Sequence, residues 1–272
     1  MNIIAADTNS VISLTGDWKY LPTCAFQLPP RNPQDANMPY RLYMGMIHPI
    51  AEYAIRGVIW YQGESNAGNG ILYRELMPAM IAAWRDRWND QSIVFIQTQL
   101  ANFWDKLPNP AYSTRADLRE AQNMTALNDP LTGMAVTIDI GDTYDIHPRN
   151  KQDVGKRLSL IARKIAYNQQ VNAFSPQYKS MEIKGDKAYI TFDNVYGGLH
   201  AKGDKVIGFA IAGEDKKFTW ANAEIQGDKI MVWSDKVVKP IAIRYAWADN
   251  PNCNLYNSVD LPASPFRTDD WK

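Results

Sequence analysis

GVIWYQGESN, residues 57–66, runs a short apolar segment straight into a polar turn. Gly57 to Tyr61 are β-prone and carry no charge, the pattern of a buried strand in a parallel sheet. The turn then offers Gln62, Glu64, Ser65 and Asn66 within five positions. In open α/β sheets ligands bind at the carboxyl ends of the strands. The turn therefore stands where chemistry is expected.

On the carboxyl side, the spacing of Leu76, Met80, Ile81, Trp84 and Trp88 predicts an amphipathic helix over Tyr73 to Trp88. Arg85, Asp86 and Arg87 are expected to face outward, and Pro78 to sit in the first turns or kink the helix. IVFIQTQL (93–100) reads as a second buried strand and MAVTIDI (134–140) as a third. Between and after them, Thr114 to Leu127 is helical through Leu118, Ala121 and Leu127. Val154 to Tyr167 is helical through Leu158, Ile161 and Ile165. Strand and helix alternate over 57–168, which argues a parallel sheet flanked by helices.

From about residue 176 the pattern changes to alternating apolar and polar residues around Gly185-Asp186 and again around Gly227-Asp228. Gly-Asp between such runs signals a hairpin. With further strands at 207–212 and 241–247, residues 172–272 read as a separate antiparallel β-sandwich. On the amino side, Ile3-Ile4 and Val11 to Leu14, followed by GDWKY, read as two short strands closing a β-domain over 1–20. Five prolines make 21–39 an extended connector. LYMGMIHPI (42–50) is an apolar segment, and residues 40–170 form the α/β domain.

Composition narrows the function. The 272 residues hold 29 Lys plus Arg against 29 Asp plus Glu, which gives no basic field for nucleic acid or an anionic membrane. No run of 18 apolar residues predicts a membrane span, and MNIIAADTNSV lacks the basic and apolar regions of a signal peptide. Cys24 and Cys253 give neither a disulfide framework nor zinc spacing, and leave one bridge between them open. Nine Trp and fourteen Tyr carry two readings, aromatic core packing and a surface on which sugar rings stack.

Three places hold candidate chemistry. The first is Gln62 to Asn66. The second is TIDIGDTYDIHP, with Asp139, Asp142, Asp145 and His147 just past the third strand. The third is Gly45, whose backbone N–H could face a ligand. A hydrolytic serine needs a histidine base, and that histidine needs a carboxylate. His147 has one two residues away in Asp145. His48 reads as a packing residue, and His200 shows no partner. Ser65 lacks the second glycine of a nucleophile elbow, since Asn66 and Ala67 follow it. Glu64 with an Asp would give a two-carboxylate glycosidase, the runner-up.

WYQGESNA, preceded by LYMGMIHP and followed by DIHPRNK, resembles the sialate O-acetylesterase family, a branch of the SGNH hydrolases. RYAWADNPNCNLYN and LPASPFRTDDW are similar to the carboxyl end of the same proteins. The resemblance implies a three-layer SGNH-type α/β fold and removal of acetyl groups from sugar hydroxyls, on sialic acids or on xylan and related glycans. It implies a Ser-His-Asp triad with no metal and no cofactor, and a periplasmic or secreted setting. Carried over by position, Gly45 supplies an oxyanion-hole N–H, although the family usually has Asn where Met44 stands. Gln62 supplies the side-chain donor, Gly63, Glu64, Ser65 and Asn66 support the turn, and His147 is the base. Asp145 is its partner. The superfamily places that Asp three residues before His, where Tyr144 stands here, which keeps Asp142 as the alternative.

The resemblance also predicts a departure. The family's nucleophile lies in a G-Q-S-N block after the first strand, and no such block occurs in this sequence. The expectation is a carboxyl-terminal portion of an esterase, lacking the nucleophile and an internal strand, with little activity alone and the missing portion as a partner. The alternative is a non-catalytic glycan-binding remnant. The polar loop ADNPNCNLYN (248–257) reads as turn chemistry, with a place on the rim of the site as the second reading.

Overall fold

The computed structural model describes Asn2–Ile4, Val11–Ser13, Met38 and residues 40–271. GDWKY, Cys24 and nearly all of the proline-rich stretch 21–39 lie outside the described residues. The chain divides into two compact units, 1–50 and 51–272.

In the first unit, β1 (Asn2–Ile4) pairs antiparallel with β2 (Val11–Ser13), Asn2 opposite Ser13 and Ile4 opposite Val11. The apolar run at 42–50 forms two helical turns, a wide π-type turn at Tyr43–Ile47 and a 3-10 turn at His48–Ile50. Met44, Met46 and Ile50 are exposed. His48 is exposed as well and stands edge-on to Tyr43, with ring centres 6.3 Å apart, so it is not a packing residue.

The second unit opens with a parallel sheet of three strands, β3 (Gly57–Trp60), β4 (Val94–Thr98) and β5 (Thr132–Ala135), in the order β3-β4-β5. Three helices alternate with them: α1 (Gly70–Trp88), α2 (Thr114–Asn128) and α3 (Lys151–Ile165). Side chains alternate across a strand, and β4 uses both faces. Phe95 packs with Tyr73, Met77 and Ile81 of α1 and with Leu118 and Ala121 of α2. Val94 and Ile96 pack with Val154, Leu158 and Ile161 of α3. Helices thus cover both faces of the sheet.

Several local expectations are corrected. β3 is an edge strand among the described residues, not a buried one, and its Ile59 is 63 % exposed. Leu76 and Leu127 are exposed, because the apolar stripes of α1 and α2 run through Tyr73, Met77 and Ile81 and through Leu118 and Ala121. Arg85 turns inward, pairing with Asp129 at 2.8 Å and donating to the Ile93 carbonyl, so it ties α1 to the end of α2. Helix α1 starts at Gly70, which leaves Pro78 inside it. The third strand starts and ends earlier than predicted; Val136, Thr137 and Ile138 are buried beyond its end.

The remaining strands form two four-stranded antiparallel sheets and a small pair. One sheet joins β6 (Gln177–Lys184), β7 (Lys187–Asp193), β11 (Asn222–Gln226) and β12 (Lys229–Trp233) in the order β11-β12-β7-β6. The other joins β9 (Phe209–Ala212), β10 (Thr219–Trp220), β13 (Ala242–Tyr245) and β15 (Phe266–Arg267) as β10-β9-β13-β15. β8 (Leu199–Ala201) pairs with β14 (Leu255–Asn257). The hairpins turn at Gly185 and Gly227, as predicted, each with φ near +60°. Their shared core includes Ile190, Phe209, Ile211 and Ile243, together with Met134, Val136 and Ile138 from the α/β part.

Candidate active site

Parallel strands place all their carboxyl ends at one rim, and three loops leave that rim here. The first follows β3. Gly63 takes φ 151 and ψ −15, a conformation that suits glycine. A β-carbon there would also press on the Gln122 amide at 3.3 Å and Leu118 at 3.5 Å. Asn66 donates its N–H to the Gly63 carbonyl at 2.9 Å and starts the 3-10 turn Glu64–Asn69. Gln62 and Ser65 are left exposed, Glu64 and Asn66 half-buried.

The second loop follows β5 and carries the aspartates and His147. Asp139 is taken by structure: Arg157 grips it with two bonds of 2.6 and 2.7 Å, and the Tyr256 hydroxyl adds a third at 3.1 Å. Asp142 is taken by its own loop, since its Oδ1 accepts the N–H groups of Tyr144 at 2.8 Å and Asp145 at 3.1 Å. Asp145 accepts the His147 backbone N–H at 2.8 Å, and the same oxygen lies 3.9 Å from His147 Nδ1. Of the two candidates, Asp145 is the one beside the imidazole. The ring itself is 89 % exposed.

The start of the first loop meets the end of the second. Lys151, in the first turn of α3, donates to the Tyr61 hydroxyl at 3.1 Å and lies over its ring at 4.5 Å. Tyr61 precedes Gln62, and Lys151 follows His147 by four residues. Gln62 and His147 are thus carried at the same rim. Gly45 belongs to the other unit, where it is exposed in the helical turn Tyr43–Ile47 with open space around its Cα.

The third loop follows β4, and no residue of it was singled out from the sequence. Asn102 receives the Gly141 N–H on its Oδ1 at 2.7 Å and donates to Asn250 Oδ1 at 2.9 Å. Gly141 must be glycine here, because a β-carbon would run into the Asn102 carbonyl and side chain. Trp104 sits at φ 73, an unusual conformation for a bulky residue. It is held there by its N–H on the Thr143 carbonyl at 3.1 Å and by Asn250 Nδ2 on its own carbonyl. Backbone strain of this kind collects at functional sites. The Trp104 indole is 56 % exposed beside the histidine loop. An aromatic residue just past a strand's carboxyl end was the signal available in the sequence.

Asn250 lies in the polar loop 248–257, and it is buried. Besides Asn102 and Trp104 it reaches Thr143 Oγ1 at 3.1 Å. The fully buried Arg119 of α2 fastens the same loop, donating to the carbonyls of Leu100, Ala101, Ala248 and Asp249 at 2.6–2.9 Å. Burial lowers its pKa to about 9, helped by the nearby Arg115 charge. The loop therefore does more than turn the chain. His200, which showed no partner in the sequence, meets Asp260 at 3.1 Å on the sandwich surface.

Among the described residues no group of three His, Cys, Asp or Glu side chains is arranged to hold a metal ion. Among those residues no helix is long and apolar enough to cross a membrane.

Comparison with known proteins converges on one chemistry. The profile of a family described as carbohydrate esterase, sialic acid-specific acetylesterase, matches residues 32–162. Mouse (Mus musculus) sialate O-acetylesterase is 30 % identical over 255 residues, covering 83 % of this chain and 46 % of the mouse protein. The human (Homo sapiens) protein of the same name is 30 % identical over 253 residues, with 83 % and 48 % covered. The chain thus spans about half the length of the curated relatives it matches. A crystal structure of a carbohydrate acetylesterase from Xanthomonas citri superimposes with a TM-score of 0.79 at 47 % identity, covering 85 % of this chain and 54 % of that one.

Proposed function

Since the chain belongs to the family of sialic acid-specific carbohydrate acetylesterases, we propose that it carries the oxyanion donors and the histidine base of an enzyme that hydrolyses acetyl esters on sugar hydroxyls. The observation that carries this reading is the Asp145–His147 pair at the same rim as Gln62.

In this mechanism a serine attacks the acetyl carbonyl, and His147 takes its proton and returns it to the leaving sugar oxygen. Asp145 orients the imidazole and stabilises its cation. The Gln62 amide binds the oxyanion, a donor that acts best when fixed before reaction, and the family resemblance gives the Gly45 N–H the same role. Asp142 holds the loop that presents the pair. The exposed Gln62 and the open imidazole both leave room for a substrate. An acetylated glycan as substrate accords with a periplasmic or secreted setting.

No G-x-S-N block occurs in these 272 residues, so none of their serines is assigned the attack. Ser65 is read as support for the turn that shapes Gln62. Without the nucleophile most of the rate is lost, since triad members act as a unit and losing one costs on the order of 10⁶. The chain alone is then expected to release negligible acetate from p-nitrophenyl acetate and to resist a fluorophosphonate probe. Covalent labelling at Ser65, with activity abolished by Ser65→Ala, would overturn the assignment.

A further inference from the structure

The antiparallel sheets and the loop before α2 wall an aromatic pocket whose lining contains none of the residues assigned to catalysis. Its cavity is about 240 Å³ and is walled by Tyr112, Phe218, Trp220, Trp247 and Trp271, with Lys216 and Arg244 among them. A second cavity of about 340 Å³, lined in part by Leu107, Pro108 and Phe209, lies against the same Trp220. One indole thus serves two adjoining spaces.

The rings are fixed in advance. Trp220 donates its Nε1–H to the Pro108 carbonyl at 2.7 Å, and the Tyr112 hydroxyl donates to Asp117 at 2.7 Å. Trp247 is buried between the guanidinium groups of Arg244 and Arg267, at 5.6 and 4.9 Å. Groups already held in one geometry lose little entropy on binding. Flat, rigid, partly exposed rings present apolar faces to the C–H face of a sugar, while their polar edges stay paired.

Charge narrows the ligand further. Arg244 is neutralised from behind by Asp269, through bonds of 2.6 and 2.9 Å. Lys216 is exposed, and among the described residues no carboxylate pairs with it; its ammonium lies 5.2 Å from the centre of the Trp271 ring. The described wall of this pocket contains no carboxylate. It therefore offers aromatic faces together with one uncompensated positive charge.

We propose that this pocket is a binding subsite for an acidic pyranose, with the sugar ring against the Trp220 and Trp271 indoles and the sugar carboxylate on Lys216. The adjoining cavity across Trp220 takes the next residue of a glycan. This reading stands on binding alone and does not depend on the assignment of the esterase residues.

The test uses the whole chain and three probes, methyl glucuronide, the isosteric neutral methyl glucoside, and acetate, followed by saturation-transfer NMR and tryptophan fluorescence. Saturable binding of the glucuronide is expected, about two- to fivefold tighter than the glucoside, the range of a single exposed ion pair. Lys216→Gln, at an exposed position, should erase that preference while the glucoside still binds. Trp220→Ala should weaken both sugars, with circular dichroism confirming the fold. Absence of saturable glucuronide binding, displacement of it by equimolar acetate, or an unchanged preference in Lys216→Gln would each overturn the proposal. Because no ester is cleaved in the assay, its outcome is independent of the catalytic proposal.

Discussion

Asn250 and Asn102 join their side-chain amides at 2.9 Å across 148 residues of sequence. Asn102 in turn receives the Gly141 N–H, and Asn250 also reaches Thr143. A residue in the loop between β13 and β14 thereby sets the start of the loop that ends in His147. Buried amides of this kind are costly to leave unpaired.

Asn250→Ala strands Asn102, the Trp104 carbonyl and Thr143 at once. We expect a loss of about 2–3 kcal/mol in urea unfolding, together with faster hydrogen exchange over residues 141–147. A destabilised variant whose 141–147 amides keep wild-type protection would show that Asn250 does not position that loop.

Gly63→Ala tests the turn that presents Gln62. With φ at 151 the substitution carries backbone strain of about 1–3 kcal/mol, and the new methyl meets the Gln122 amide. The expected result is a lower melting temperature, while Gly68→Ala, in open space on the same 3-10 turn, costs clearly less. Equal losses at the two positions would contradict this account.

Asp129 gives a pH dependence with a defined sign. Burial alone would raise its carboxyl pKa, but the Thr132 hydroxyl, the Leu131 N–H and Arg85 outweigh it and hold the pKa below the ordinary value. A carboxyl depressed in the folded state contributes stability above its unfolded pKa of about 3.9. That contribution is lost as the pH falls through the folded value. The stability gap between wild type and Asp129→Asn should therefore be full at pH 7 and shrink below about pH 4. Urea midpoints measured at both ends decide it; a gap that stays constant refutes it.

Cys253 has no disulfide partner among the described residues, and its thiol pKa is pushed up to about 12, first by burial and then by the Asp139 charge. Only the thiolate reacts with alkylating agents. Iodoacetamide at pH 8 should modify Cys253 slowly in the native protein and rapidly in urea, as read by peptide mass spectrometry. Comparable rates in both would mean that the sulfur is not shielded.

Much of the architecture was legible from period and punctuation. Alternation at 2.0 with Gly-Asp turns announced the β6–β7 and β11–β12 hairpins, and 3.6 spacing announced α1, α2 and α3. The misplaced side chains were amphipathic cases. Arg85 was read outward because Arg is usually exposed, yet its stem is buried and its head pairs with Asp129. Helical spacing places Leu76 and Leu127 inward, yet the stripes that meet β4 run along other faces, with Leu127 about 180° around α2 from Leu118. At the site, the DIHP block could be seen as a histidine with carboxylates, but not which carboxylate stands beside the imidazole.

By itself the sequence determined the parallel α/β segment, the antiparallel strands after it, and the two polar blocks at residues 62–66 and 139–147. Those are local properties, set by side-chain period and turn chemistry. The tertiary structure decided which groups already have work. It gives Asp139 to Arg157 and Asp142 to its own loop, and leaves Asp145 beside His147. It also brought Asn102 and Asn250 to that loop and gathered distant aromatics around Trp220. Hydrogen-bond partners and desolvation depend on residues far apart in the chain, and no local pattern records them.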